Sequence, residues 1–182
     1  LQDVRWADIE PSPGQYNWAP LDAVVAAAHP RGLQLIFSIS AAPDWARPLS
    51  ADLRADGPPE DPADFGRFMT QLAERYRGQV AAYEIWPAAN TAAAWSTPSG
   101  FSVRAYLALL GAGAQAARTV DPSVKIISGG LLPSLDKPNA VDDLSYLRLL
   151  YAYGLAGQVD AIGVTLQPND NPPAANPTPR RA

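Results

Sequence analysis

The sequence predicts an α/β protein built on a parallel sheet, and three observations carry that expectation. Short apolar runs alternate with longer stretches of helical periodicity, in the order β-α-β-α-β-α-β-α-β. Successive strands start roughly 30 residues or more apart, the length of a βαβ unit. The 61–78 stretch opens on a capping aspartate followed by proline, and the 19–32 stretch stops at glycine. Parallel strands with right-handed helical crossovers follow from that spacing. Two architectures accommodate it, an open doubly wound sheet and a (β/α)8 barrel.

The elements read as follows. LQDVRW (1–6) is the tail of a strand. APLDAVVAAAHPRG (19–32) is a helix with Leu21, Val24, Val25 and Ala28 on one face, shortened by Pro30 and stopped at Gly32. LQLIFSIS (33–40) is a buried strand. DPADFGRFMTQLAERYRG (61–78) is a helix with Asp61 as N-cap and Pro62 at the first position. Its buried stripe is Phe65, Phe68, Met69, Leu72 and Tyr76. VAAYEIW (80–86) is a strand, and SVRAYLALLGAGAQAARTV (102–120) a helix. VKIISGGLL (124–132), DDLSYLRLLYAYG (142–154) and VDAIGVTL (159–166) are strand, helix and strand. Residues 1–168 form one domain, and the Pro/Asn-rich 169–182 is a tail or loop.

Composition narrows the function. Apolar residues make up 47% and charged residues 18%, a globular balance. Net charge is −4 and no basic stripe exists, which argues against a nucleic-acid partner. With no Cys and one His, disulfides and thiolate metal sites are excluded and a zinc or copper site is disfavoured. No apolar run approaches the roughly 18 residues of a membrane span. No G-x-G-x-x-G follows a strand, and GGLLP lacks the spacing of a phosphate loop. The chain begins at LQDVRW without Met or a signal peptide, the pattern of a processed or partial molecule.

Several motifs resemble clan A glycoside hydrolases, TIM-barrel enzymes with cellulase-like and xylosidase-like members. VRWADIEPSPGQYNWAPLD (4–22) and RGLQLIFSISAAPDWA (31–46) are similar to that family's second and third strands. The pattern E-P-x-x-G-x-Y-x-W-x-x-L-D runs from Glu10 to Asp22, and P-x-W is Pro43 to Trp45. YEIWPAAN (83–90) resembles Y-E-I-W-N-E-P-N at strand four; DPSVKIISGGLLP (121–133) resembles strand five, and YLRLLYAYGLAGQVDAIGV (146–164) the helix and strand six. The resemblance spans residues 4 to about 173. It implies an incomplete (β/α)8 barrel, about strands 2 to 6, lacking strands one, seven and eight.

The resemblance also locates what is missing. The family's Asn-Glu pair after strand four, which binds substrate and supplies the general acid/base, falls on Pro87 and Ala88; the following Pro is Ala89, and Asn90 alone matches. At strand six G-x-H-P-Y becomes GVTLQP, with Thr165 at the His position and Gln167 at the Tyr position. The nucleophilic Glu lies on the absent strand seven. Hydrolysis needs two carboxyl groups, about 5–5.5 Å apart in a retaining enzyme. No catalytic residue is therefore assigned: the acid/base position Ala88, with Pro87 and Ala89, is degenerate.

Arg5, Trp45, Trp86, Asn90 and Trp95 remain as candidates for vestigial sugar binding, with Trp6 beside them at a strand end. Alternation places Glu84, Trp86 and residue 88 on the barrel interior. The resemblance puts Arg5 at the family's strand-two arginine, below the catalytic carboxylates. Without them a buried Arg5 needs a partner, which predicts an Arg5–Glu84 contact, direct or through water. Five parallel strands leave two open edges and an unfilled interior. That predicts a protein partner or further chain segment completing the barrel, with oligosaccharide as a candidate ligand. The readings are a non-catalytic scaffold or interaction subunit, a carbohydrate-binding pseudoenzyme, and a fragment of an O-glycosyl hydrolase acting on a polysaccharide. No cofactor is implied, and the resemblance favours an extracellular or cell-surface location.

Overall fold

A computed structural model describes residues 1–166. Five strands form one parallel sheet in sequential order: β1 (Gln2–Arg5), β2 (Leu35–Ser40), β3 (Val80–Ile85), β4 (Lys125–Leu131) and β5 (Ala161–Val164). Helices α1 (Trp6–Ile9), α2 (Ala19–Ala28), α3 (Pro62–Arg75), α4 (Val103–Val120) and α5 (Asp143–Ala152) supply the connections. Among the described residues β1 and β5 are the edges of the sheet. This is the open arc of a partial (β/α) barrel; the boundary at 168 and the tail 169–182 lie outside the described residues. Among the described residues no helix is long and apolar enough to cross a membrane.

Local signals explain the elements. Asp61 caps α3 by accepting from the Ala63 amide at 2.8 Å, with Pro62 opening the helix. Ser102 caps α4 through Ala105, and Asp142 caps α5 through Ser145. Gly32, at φ 64, ends the turn that follows α2. The α3 stripe Phe65, Phe68, Met69, Leu72 and Tyr76 is buried, as its spacing requires. On α2, Leu21, Val25 and Ala28 are buried but Val24 only half-buried. A Cβ on Gly113 would lie 2.6 Å from Phe65, so glycine there allows α4 to approach α3.

Register separates the two faces of the sheet. Phe37, Tyr83 and Ile126 pair across β2, β3 and β4 and face the helices. The next row, Asp3, Ser38, Glu84, Ile127 and Ala161, faces the concave side. Sheet ends are exposed: Leu1 is 80%, Val164 74% and Leu166 86% accessible.

Candidate functional site

The carboxyl ends of β2, β3 and β4 carry the positions that the sequence marks for chemistry. Three non-glycine residues among those described adopt positive φ, and all lie here: Ala41 after β2, and Trp86 and Ala88 after β3. Such backbone costs of order 1–3 kcal/mol per residue and clusters at functional sites. Ala88 is held by its own amide, which donates to Gly130 O at 2.8 Å, while its carbonyl accepts from the Thr91 amide and hydroxyl. Its side chain is a methyl group, which neither donates nor accepts a proton. Pro87 and Ala88 are half-buried, and Ala89 is fully buried.

Glu84 lies one turn of pleat below. One carboxylate oxygen accepts from Ser38 Oγ at 2.6 Å, the other from the Gly130 amide at 2.9 Å. A Cβ on Gly163 would come within 2.9 Å of the same oxygen. Glu84 thus ties β2, β3 and β4 together on the concave face.

The expected Arg5–Glu84 contact is absent. Arg5 forms a two-point pair with Asp56, Nη1 to Oδ2 at 2.6 Å and Nη2 to Oδ1 at 2.8 Å, and its side chain is 46% exposed. The Asp56 carboxylate holds the guanidinium above its usual range, against a smaller opposing effect of desolvation. The reason is geometric. Among the described residues Arg5 is half exposed, so nothing forces it toward Glu84, and the loop after β2 brings a carboxylate within 2.6 Å. Arg47, 5% exposed, shapes that loop by donating to the carbonyls of Ala55, Asp52 and Ser96. Nothing in the sequence around Arg47 distinguishes it from a surface arginine.

The tryptophans do not gather at the barrel mouth. Trp6, Trp86 and Trp95 are 0%, 0% and 2% exposed. Positive φ at Trp86 breaks strand alternation, so its indole leaves Glu84's side and packs among Phe65 and Trp95, with Nε1 donating to Ala94 O at 2.9 Å. Trp45 alone of the named tryptophans is only partly buried, edge-on to Trp6 with centroids 5.7 Å apart. Asn90 is fully buried. Its Nδ2 donates to Leu132 O, Ser134 Oγ and Val141 O, and its Oδ1 accepts from the Leu132 amide. That amide joins the β3 and β4 loops and faces no solvent.

The E-P-x-x-G-x-Y motif has a structural explanation. Glu10, 4% exposed, accepts from Trp6 Nε1 at 2.7 Å and from the Gly14 amide at 2.8 Å. Burial, then the neighbouring Glu10 carboxylate, pushes the Tyr16 phenol up to about 12. Asp22, at the motif's end, accepts from Arg75 and from Tyr76 Oη at 2.9 Å. The motif therefore folds the β1–α2 connection and docks α2 on α3.

Comparison with solved structures places this geometry in a known architecture. No family model matches the chain, and no curated protein matches it. A family 39 glycoside hydrolase from Bacteroides cellulosilyticus WH2 shares 20% identity at TM-score 0.56, over 70% of this chain and 25% of its own. A glucosidase from Croceicoccus marinus shares 17% at TM-score 0.59, over 89% and 37%. GH10 from Paenibacillus barcinonensis shares 17% at TM-score 0.54, over 90% and 53%. The chain has the fold of clan A glycoside hydrolases and spans between a quarter and about half the length of these proteins.

Proposed function

We propose that this chain is a glycoside-hydrolase-like segment without hydrolytic chemistry of its own, acting as a scaffold or interaction subunit in a larger assembly. The observation that carries this reading is Ala88. The strand-end backbone keeps left-handed geometry there, yet the side chain that should deliver a proton is a methyl group. Glu84 does not substitute, because both its oxygens brace the sheet. General acid catalysis contributes roughly 10²–10⁴-fold, and its loss alone removes useful turnover of an unactivated glycoside.

The open edges support the assembly part. Between α5 and the β4–β5 edge lies an apolar cleft of about 420 Å³ lined by Leu131, Leu144, Leu147, Ile162 and Val164. A further βα segment, from the same polypeptide or a partner, would cover it and fill the concave side. An extracellular or cell-surface location fits this reading.

Leaving-group chemistry tests it. The protein is assayed on xylan, cellulose and 2,4-dinitrophenyl β-glycosides, whose leaving group needs no protonation. The expected result is no release from any of them. Release from the activated glycosides alone would mean that a nucleophile is present elsewhere, and the chain is then a piece of a hydrolase with a defective acid. Turnover of the polysaccharides would overturn the proposal.

A second reading, a carbohydrate-binding pseudoenzyme, is favoured by one observation. Trp45 retains an accessible ring beside polar side chains.

A further inference from the structure

We propose that an oligosaccharide binds on the helical side of the sheet, in the cleft between the β1–α2 connection and α3, away from the acid-less position at Ala88. The inference rests on the sugar-binding reading above and gives it a place. The cleft measures about 360 Å³, within the ~300–1,000 Å³ range of small-molecule sites.

One wall is aromatic, formed by Tyr16 and Trp45; the other is the outward face of α3, with Asp64, Arg67 and Gln71. Those three recur at helical spacing opposite the buried Phe65, Phe68 and Leu72 stripe. The concave side, by contrast, offers no indole face, since Trp6, Trp86 and Trp95 are buried.

The aromatic wall is organised before any ligand arrives. Trp45 Nε1 donates to Glu10 O at 3.1 Å, and the Trp45 ring stands edge-on to Trp6. Tyr16 stacks on Trp18 with centroids 5.0 Å apart and planes 16° apart. Binding therefore orders few side chains, which keeps its entropic cost low. The opposite wall is polar: Arg67, paired with Asp64, has a side chain 67% exposed, and Gln71 is exposed. Gly14 borders the cleft at φ 73, and a Cβ there would meet nothing within 4 Å, so the rim is open.

The chemistry selects the ligand class. A pyranose offers apolar C–H faces to the rings and adjacent hydroxyls to a guanidinium, an amide and a carboxylate. Charges of both signs on the α3 wall disfavour a strongly anionic or cationic ligand. A neutral oligosaccharide satisfies both walls.

Calorimetric titration of the intact protein with cellohexaose, xylohexaose and mannohexaose tests this. Binding to at least one is expected. It should weaken at least about tenfold in Trp45→Ala, the scale of losing a well-packed aromatic anchor, and also in the Arg67→Ala/Gln71→Ala double variant. Glu84→Gln on the concave face should leave it unchanged. Trp45 also packs on Trp6, so if Trp45→Ala does not fold, the surface double variant decides. Binding that survives the double variant but falls in Glu84→Gln would overturn this placement while leaving sugar binding intact. No heat with any of the three would overturn both.

Discussion

Asn90→Ala separates a structural role from a ligand-binding one at the single residue that matches N-E-P-N in the strand-four motif. In the wild type the Asn90 side chain makes four contacts, at 2.9 Å to Leu132 O, 3.1 Å to Ser134 Oγ, 2.9 Å to Val141 O and 2.9 Å from the Leu132 amide. Truncation leaves the Leu132 N–H and C=O without that partner. Val141 O keeps the Ser134 hydroxyl at 2.8 Å. An unpaired buried backbone group costs about 1–3 kcal/mol, so two of them give a loss of about 3 kcal/mol. For a protein of this size that corresponds to about 6–12 °C in Tm. Urea unfolding followed by circular dichroism measures it. A loss below about 1 kcal/mol would refute the reasoning, because it would mean that water replaces the amide and that the two loops do not depend on it.

Other outcomes follow from the same geometry. Ala88→Gly should raise stability by about 0.5–1 kcal/mol, since glycine holds positive φ without the steric cost borne by alanine; an unchanged urea midpoint would contradict it. Gly129→Ala should abolish folding, because its Cβ would lie 2.1 Å from Trp86 O; a soluble variant with wild-type near-ultraviolet circular dichroism would contradict it. Arg5→Ala should cost less than about 1 kcal/mol, as expected of an exposed ion pair, and more would point to a buried role for this arginine. Asp160 is lowered to about 2 by the Ile126 amide first and then by Arg118. Its folded pKa lies below the unfolded one, so its contribution is present above about 4 and fades as pH falls toward 2. Asp160→Asn should flatten the urea midpoint across that window, and an unchanged acid limb would refute the assignment.

Much of the fold was legible in the chain itself. Caps at Asp61 and Ser102, the stop at Gly32 and the α3 stripe are local signals, and local signals survive folding because they concern residues a few positions apart. Parallel pairing followed from the βαβ spacing, and the sequential strand order of a partial barrel from the motif resemblance. The methyl side chain at residue 88 was legible too, since residue type is read directly and alanine has no proton to give in any environment.

Side-chain direction was not legible. Alternation assigned Trp86 to the interior, but a left-handed residue at the strand end sends its indole into the helical layer. The Arg5 partner, Asp56, lies 51 residues along the chain in a loop that Arg47 folds, and no spacing encodes that. Asn90 reads as a ligand contact in the motif, yet its burial is set by where the β4 loop passes. The sequence by itself determined the element order, the caps and the methyl group at Ala88, because each depends on residue type and near neighbours. Tertiary structure alone decided which tryptophan keeps an open face and which polar groups are enclosed, because those depend on how distant segments close over one another.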